Sequence, residues 1–141
     1  MNMVMPQGPS TDRTQSQKGA VLVEFALILP VFLLLLFGVI TFSIALYNKT
    51  VLTIASREGA RKGAMYVANR TNTIIKSNAT TAATQASNNL ITFGDAVTPT
   101  ISTNTNPLTD GFITVTASYT YAGLYVFSDL ALSAQTTMKL E

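Results

Sequence analysis

The chain has 141 residues, 48% of them hydrophobic and only 11% charged, with a mean hydropathy of +0.33, a formal charge of +2 and a pI near 9.0. A soluble domain carries about 25% charged residues, so the bias points to a membrane segment, and the remaining length allows one modest domain. Cysteine and histidine are absent, which excludes disulfides, thiolate metal sites and the commonest general base; no cofactor-binding pattern is present, and the small basic excess is too scattered to mark a nucleic-acid surface.

The first elements are a polar leader and an apolar run. Residues 1–18, MNMVMPQGPSTDRTQSQK, hold two prolines and no apolar periodicity, so this stretch is expected to be disordered or removed. From Ala20 to Tyr47 the sequence AVLVEFALILPVFLLLLFGVITFSIALY would extend about 42 Å as a helix, enough to cross a hydrocarbon core of about 30 Å. It is longer than a signal-peptide core, so a cut is expected before it rather than after it, leaving the segment as an anchor.

One carboxylate interrupts this run. Glu24 is the only charge between Lys18 and Lys49, and an ionised acid at the bilayer centre costs roughly 3 kcal/mol or more unless it has a partner. A cut after Gly19 would create a positive α-amine at Ala20, about 6 Å from Glu24 along a helix axis. Further on, Pro30 leaves the carbonyl of Ala26 without its helical donor, which predicts a kink or a packing site in a bundle. Gly38, Thr41 and Ala45 share a helical spacing and form a small-residue patch through which a second helix could approach.

Beyond Tyr47 the helix is predicted to continue as an amphipathic rod to about Ala68. Val51, Leu52, Ala55, Gly59 and Tyr66 fall on one side and Arg57, Arg61 and Ala64 opposite, with Glu58 and Lys62 as an i, i+4 ion pair. A second helix is predicted from Asn72 to Leu90, with Ile75, Ala79, Ala82, Ala86 and Leu90 as its apolar stripe. The period then changes. Ile113 to Tyr121 alternates apolar and hydroxyl residues and reads as a strand, Leu132 to Leu140 as a weaker one, and Val97 to Ser102 as a third. The turn-rich Asn106 to Gly111 predicts an antiparallel hairpin between the strands that flank it. The expected fold is α+β: a long N-terminal transmembrane and amphipathic helix packed on a small antiparallel sheet, with a second short helix. The predicted divisions are a leader over 1–19, a transmembrane helix over 20–47 and an α+β domain over 48–141.

The junction resembles the class III signal of type IV pilins, with Gly19 followed by Glu24 at the fifth position and then an apolar helix. The longer run from Gly19 to Ala64 is similar to the N-terminal signature of TadE-like proteins, minor pseudopilins of tight-adherence (Flp) pilus systems. The elements that carry the resemblance are GAVLVEFALILP from Gly19 to Pro30, REGAR from Arg57 to Arg61 and TMKLE from Thr137 to Glu141.

The resemblance implies a protein of the bacterial inner membrane with its leader in the cytoplasm and its C-terminal domain outside. It implies cutting between Gly19 and Ala20 by a membrane aspartic prepilin peptidase, and pairing of Glu24 with the mature amine of its own or an adjacent subunit. The implied partners are other pilins or pseudopilins, the inner-membrane pilus assembly proteins and the lipid bilayer.

Two other classes compete with this reading. A plain single-span membrane-anchored binding or adhesive protein leaves Glu24 unexplained and retains its leader. A hydrolase would have to draw on Asp95, Asp110 or Asp129, which sit in predicted loops without a motif; the chain is expected not to be an enzyme. Tyr119, Tyr121, Tyr125 and Phe127 form an aromatic cluster expected in the sheet core. Asn48, Asn69 and Asn78 head Asn-x-Thr triplets, which a chain rich in Asn and Thr produces by chance, and they receive no role.

Overall fold

A computed structural model describes residues 12–92, 98–121 and 130–141, with side chains described from Gly19 onward. The elements in chain order are helix α1 (Asp12–Ala64), helix α2 (Asn72–Ala86), strand β1 (Thr100–Thr103), the single-turn helix α3 (Pro107–Asp110), strand β2 (Phe112–Tyr121) and strand β3 (Leu130–Lys139). Two compact units divide the chain, Met1–Phe37 and Gly38–Glu141.

In the first unit, the backbone is helical from Asp12, so the leader residues from there to Gly19 join α1 without a break, in contrast to the expected disorder. Gln, Lys and Arg cost a helix little, and no proline or glycine stands between Asp12 and Lys18 to stop it. Pro30 lies inside the helix, which continues past it. The stretch is long and apolar enough to cross a membrane, and its large side chains, among them Phe25, Leu27, Phe32 and Leu35, are exposed. An apolar surface of that extent has no stable place in water.

The second unit is a three-stranded antiparallel sheet in the order β1-β2-β3, covered on one face by helices. The β2 register places Ile101 opposite Ala117 on one side and Ala134 opposite Ala117 on the other. The strict alternation of β2 puts Ile113, Val115, Ala117, Tyr119 and Tyr121 on the buried face, as period-two patterning requires. The predicted strand over 97–102 is shorter and later, Thr100–Thr103, with Val97 outside the described residues. It pairs with β2 as expected, and the intervening loop contains α3, whose turn closes on Gly111 in the left-handed conformation at φ 74°.

Two clusters fill the core. Ala45, Leu52 and Ala55 of α1 pack with Ala117, Tyr119, Tyr121 and Ala134, while Ala60 and Ala64 pack with Ile75, Ala79 and Ala83 of α2 and with Ile113 and Val115. The covering face thus extends to Ala64, which the helical wheel had placed on the opposite side. Burying Leu52 completely contributes about 1.5–3 kcal/mol.

α1 ends at Ala64, short of the predicted Ala68, and Tyr66 lies exposed beyond it. Here the chain reverses through Asn69 at φ 57°, and the Thr71 hydroxyl accepts from the Ile74 amide at 3.3 Å to start α2. The backbone N–H of Glu141 donates to the carbonyl of Ala64 at 3.2 Å, satisfying one of the groups that a helix end leaves open. α2 also stops early, at Ala86; its fully buried residues are Ile75, Ala79 and Ala83, while the predicted Ala86 packs half-buried against the first core cluster and Ala82 is half-buried. The residues from Ser87 to Leu90 leave the helix, with the Ser87 amide donating to Ala83, which removes Leu90 from the stripe while keeping it against the first core cluster.

Candidate functional site

Gly19, Ala20 and Glu24 lie on continuous helix and are exposed. Ala20 and Glu24 are four residues apart, hence one turn above each other on the same face. Among the described residues, a methyl group added at Gly19 would meet nothing within 4 Å, yet glycine inside a helix costs about 1 kcal/mol relative to alanine. Packing by the described residues therefore gives no reason for glycine at this position. A demand from outside the fold does, as close approach by another protein would.

The other glycines of α1 are in the opposite situation. An added Cβ at Gly59 would sit 2.9 Å from the Ala79 carbonyl oxygen, 2.9 Å from the Ala83 Cβ and 3.2 Å from a Val115 methyl. At Gly63 it would sit 2.7 Å from the Ile113 Cδ1 and 3.0 Å from the Ala79 Cβ. Gly59 and Gly63 on α1 face Ala79 and Ala83 on α2, two small pairs each four residues apart, and they let the helices approach at backbone distance above the sheet. This geometry accounts for the centre of the REGAR element, because Ala60 is also fully buried.

The charged residues of that element point outward. Arg61 donates from Nε to Glu58 Oε2 at 2.8 Å and from Nη2 to Oε1 at 2.5 Å, so the partner of Glu58 is Arg61 at i+3 and not the predicted Lys62. Its hydrogen bonds hold the Glu58 carboxyl below the usual carboxylate range, and the same contact raises the Arg61 guanidinium. Arg57 is exposed. The C-terminal TMKLE element is structural as well: Thr137 meets Thr114 at 2.8 Å, Met138 and Leu140 pack on the second core cluster, and the Leu140 amide donates to Gly111 at 3.0 Å.

Asn48, which sequence reasoning left without a role, is fully buried. Its Nδ2 donates to the Ile91 carbonyl at 2.7 Å and its Oδ1 accepts from the Ile91 amide at 2.9 Å. The side-chain amide thereby copies the pairing that a neighbouring strand would offer. Lys49 Nζ donates to the Ser133 carbonyl, and Ser56 Oγ meets Thr136 Oγ1 at 2.9 Å, tying the helix to β3. Only the second residue of the apolar-polar boundary was marked in the sequence, by its charge; Asn48 carried no such signal.

Of the small-residue patch, Thr41 and Ala45 are covered within their own unit, at 3% and 4% exposure, while Gly38 is half-buried. Of the aromatic cluster, Tyr119 and Tyr121 are buried on the inner sheet face, and Tyr125 and Phe127 lie outside the described residues. Among the described residues neither tyrosine hydroxyl has a hydrogen-bond partner. Burial raises the Tyr121 phenol above its ordinary value of 10.0, with Tyr119 adding to the effect, so this group's contribution to stability is present below pH 10 and falls as the pH rises beyond it. Because an unpartnered buried hydroxyl is penalised by about 1–3 kcal/mol, Tyr121→Phe is expected to raise the unfolding midpoint or leave it unchanged, and to flatten the alkaline decline. Denaturant titrations of both proteins at neutral pH and above pH 10 would check this.

Of the hydrolase candidates, Asp110 accepts from Asn104 Nδ2 at 2.7 Å in the turn before β2, and Asp95 and Asp129 lie outside the described residues.

A family model described as TadE-like protein matches residues 19–61. No curated protein and no solved structure matches the chain. The matched segment starts at Gly19, includes Glu24 and Pro30 and finishes at the Arg61 that pairs with Glu58. Over residues 19–61, from the candidate cleavage glycine through the membrane-type helix to the end of REGAR, the chain is similar to TadE-like proteins.

Proposed function

We propose that the chain is a minor pilin or pseudopilin of a tight-adherence (Flp) pilus, a structural or assembly-priming subunit and not an enzyme. A prepilin peptidase cuts after Gly19, and the chain assembles through its N-terminal helix with other pilins and the inner-membrane pilus proteins, its α+β unit on the outer side of the bacterial inner membrane. The observation that carries this reading is the coincidence of the TadE-like match with Gly19 and Glu24. A glycine that the fold does not require stands five residues before the one carboxylate of the apolar run. Cutting there frees an amine one turn from Glu24, and a paired charge avoids most of the cost of an isolated one in lipid.

Intact-mass measurement after co-expression with a membrane aspartic prepilin peptidase tests the reading. Wild type is expected to lose residues 1–19, Gly19→Val to keep them, and Glu24→Gln to be cut but to fail to co-purify with pilus partners. Full-length chain recovered from bacteria that are making functional fibres would refute it.

A further inference from the structure

The apolar surface does not stop where the α+β unit begins. Within that unit Thr41 and Ala45 are buried, but the outer sides of the same helical turns are apolar and exposed: Phe42 is 64% exposed, Leu46 53% and Tyr47 44%. Leu130, at the start of β3, is exposed beside them at 46%. Gly38, Thr41, Phe42, Ala45 and Leu130 line a cleft of about 190 Å³ whose walls are almost wholly apolar.

The length of the apolar run says what lies against this surface. Ala20 to Tyr47 covers about 42 Å as a helix, which exceeds the hydrocarbon core of about 30 Å and equals the bilayer with its interfacial layers, about 40–45 Å. With the excess shared between the two ends, residues 44–47 lie in the interfacial layer and Thr41 and Phe42 at the edge of the hydrocarbon core, Tyr47 takes the place of an aromatic anchor and Lys49 marks the headgroup level. The part of the sheet that packs on Ala45 is at that same level.

We propose that the base of the α+β unit is a lipid-binding surface, in which the cleft between Phe42 and Leu130 holds an acyl chain of the adjacent leaflet. The one polar side-chain group lining the cleft, Thr41 Oγ1, is itself buried, so an occupant meets apolar surface, as an acyl chain requires. This surface fixes how deep the unit sits, independently of whether the leader is cut.

The chain contains no tryptophan, so a single introduced one reports its own surroundings. Leu130→Trp and, separately, Phe42→Trp would be placed in the full chain and reconstituted in phosphatidylcholine vesicles, with Gln135→Trp on the exposed side of β3 as reference. Lipids brominated near the glycerol end of the acyl chain are expected to quench both base tryptophans at least twofold and the reference hardly at all, with acrylamide giving the reverse order. If bromolipid leaves Leu130→Trp and Phe42→Trp as bright as Gln135→Trp, the proposal fails. It fails equally if their emission is shielded only at high protein-to-lipid ratio, because the cleft is then filled by a second copy.

Discussion

Gly59→Val is expected to destabilise the α+β unit by about 3 kcal/mol. A Cβ alone would press 2.9 Å from the Ala79 carbonyl oxygen and 2.9 Å from the Ala83 Cβ, and neither backbone oxygen nor alanine methyl has a rotamer through which to yield. Valine adds two methyl groups on the same side, where Val115 already stands 3.2 Å from the Cβ. Against this, the helix gains about 1 kcal/mol from losing a glycine, so Gly59→Ala should lose less than Gly59→Val.

Gly63→Ala should lose less again, because its nearest neighbour is the Cδ1 end of Ile113, which can rotate aside. Gly19→Ala should cost nothing, since open space surrounds it. Pulse proteolysis of the full chain across a urea series would read the order directly; a Gly59→Val midpoint equal to that of Gly19→Ala would show that the helices do not meet as described.

Asn48→Ala should cost about 2–3 kcal/mol, although the removed group is small. Alanine would remove both bonds that hold the amide and the carbonyl of Ile91, each with a net worth of about 0.5–1.5 kcal/mol, and would leave a cavity at a fully buried position. Isosteric Asn48→Asp keeps the shape but replaces the Nδ2 donor by an oxygen facing the Ile91 carbonyl, and should be worse than alanine. Hydrogen exchange at the Ile91 amide gives a local reading: a loss of 2 kcal/mol corresponds to roughly thirtyfold faster exchange. Unchanged exchange in Asn48→Ala would mean that the side chain does not hold this strand-like segment.

How far the sequence discloses this structure depends on whether a residue's duty is periodic. The β2 strand was legible because Ile113, Val115, Ala117, Tyr119 and Tyr121 repeat every second position, and the membrane-type helix because a long uncharged run has few other uses. The far ends of both helices were not. Nothing between Ala64 and Ala68 forbids helix; α1 ends where the reversal through Asn69 brings α2 alongside, and that is a tertiary requirement. Likewise Ala82, Ala83 and Ala86 are equivalent by hydrophobicity, and only the location of Gly59 selects Ala83 for the contact.

The candidate processing site was legible as a motif, with Gly19, Ala20 and Glu24 set before an apolar helix. The structure adds that none of the described residues packs against Gly19. Glu58 found its partner at Arg61 and not Lys62 because guanidinium offers two parallel donors to one carboxylate, a geometry that an ammonium lacks.

The side-chain bonds that fasten α1 to later parts of the chain join residues far apart in sequence: Asn48 with Ile91, Ser56 with Thr136, Lys49 with Ser133. During synthesis the whole of α1 is therefore made before any of these counterparts. Contacts of such long range form slowly, and through that interval Leu52 and Ala55 lack the strands that later bury them. A nascent chain arrested before Ser133 should consequently expose this helical face to chaperones or to proteases, making the period between insertion and sheet closure its most vulnerable stage.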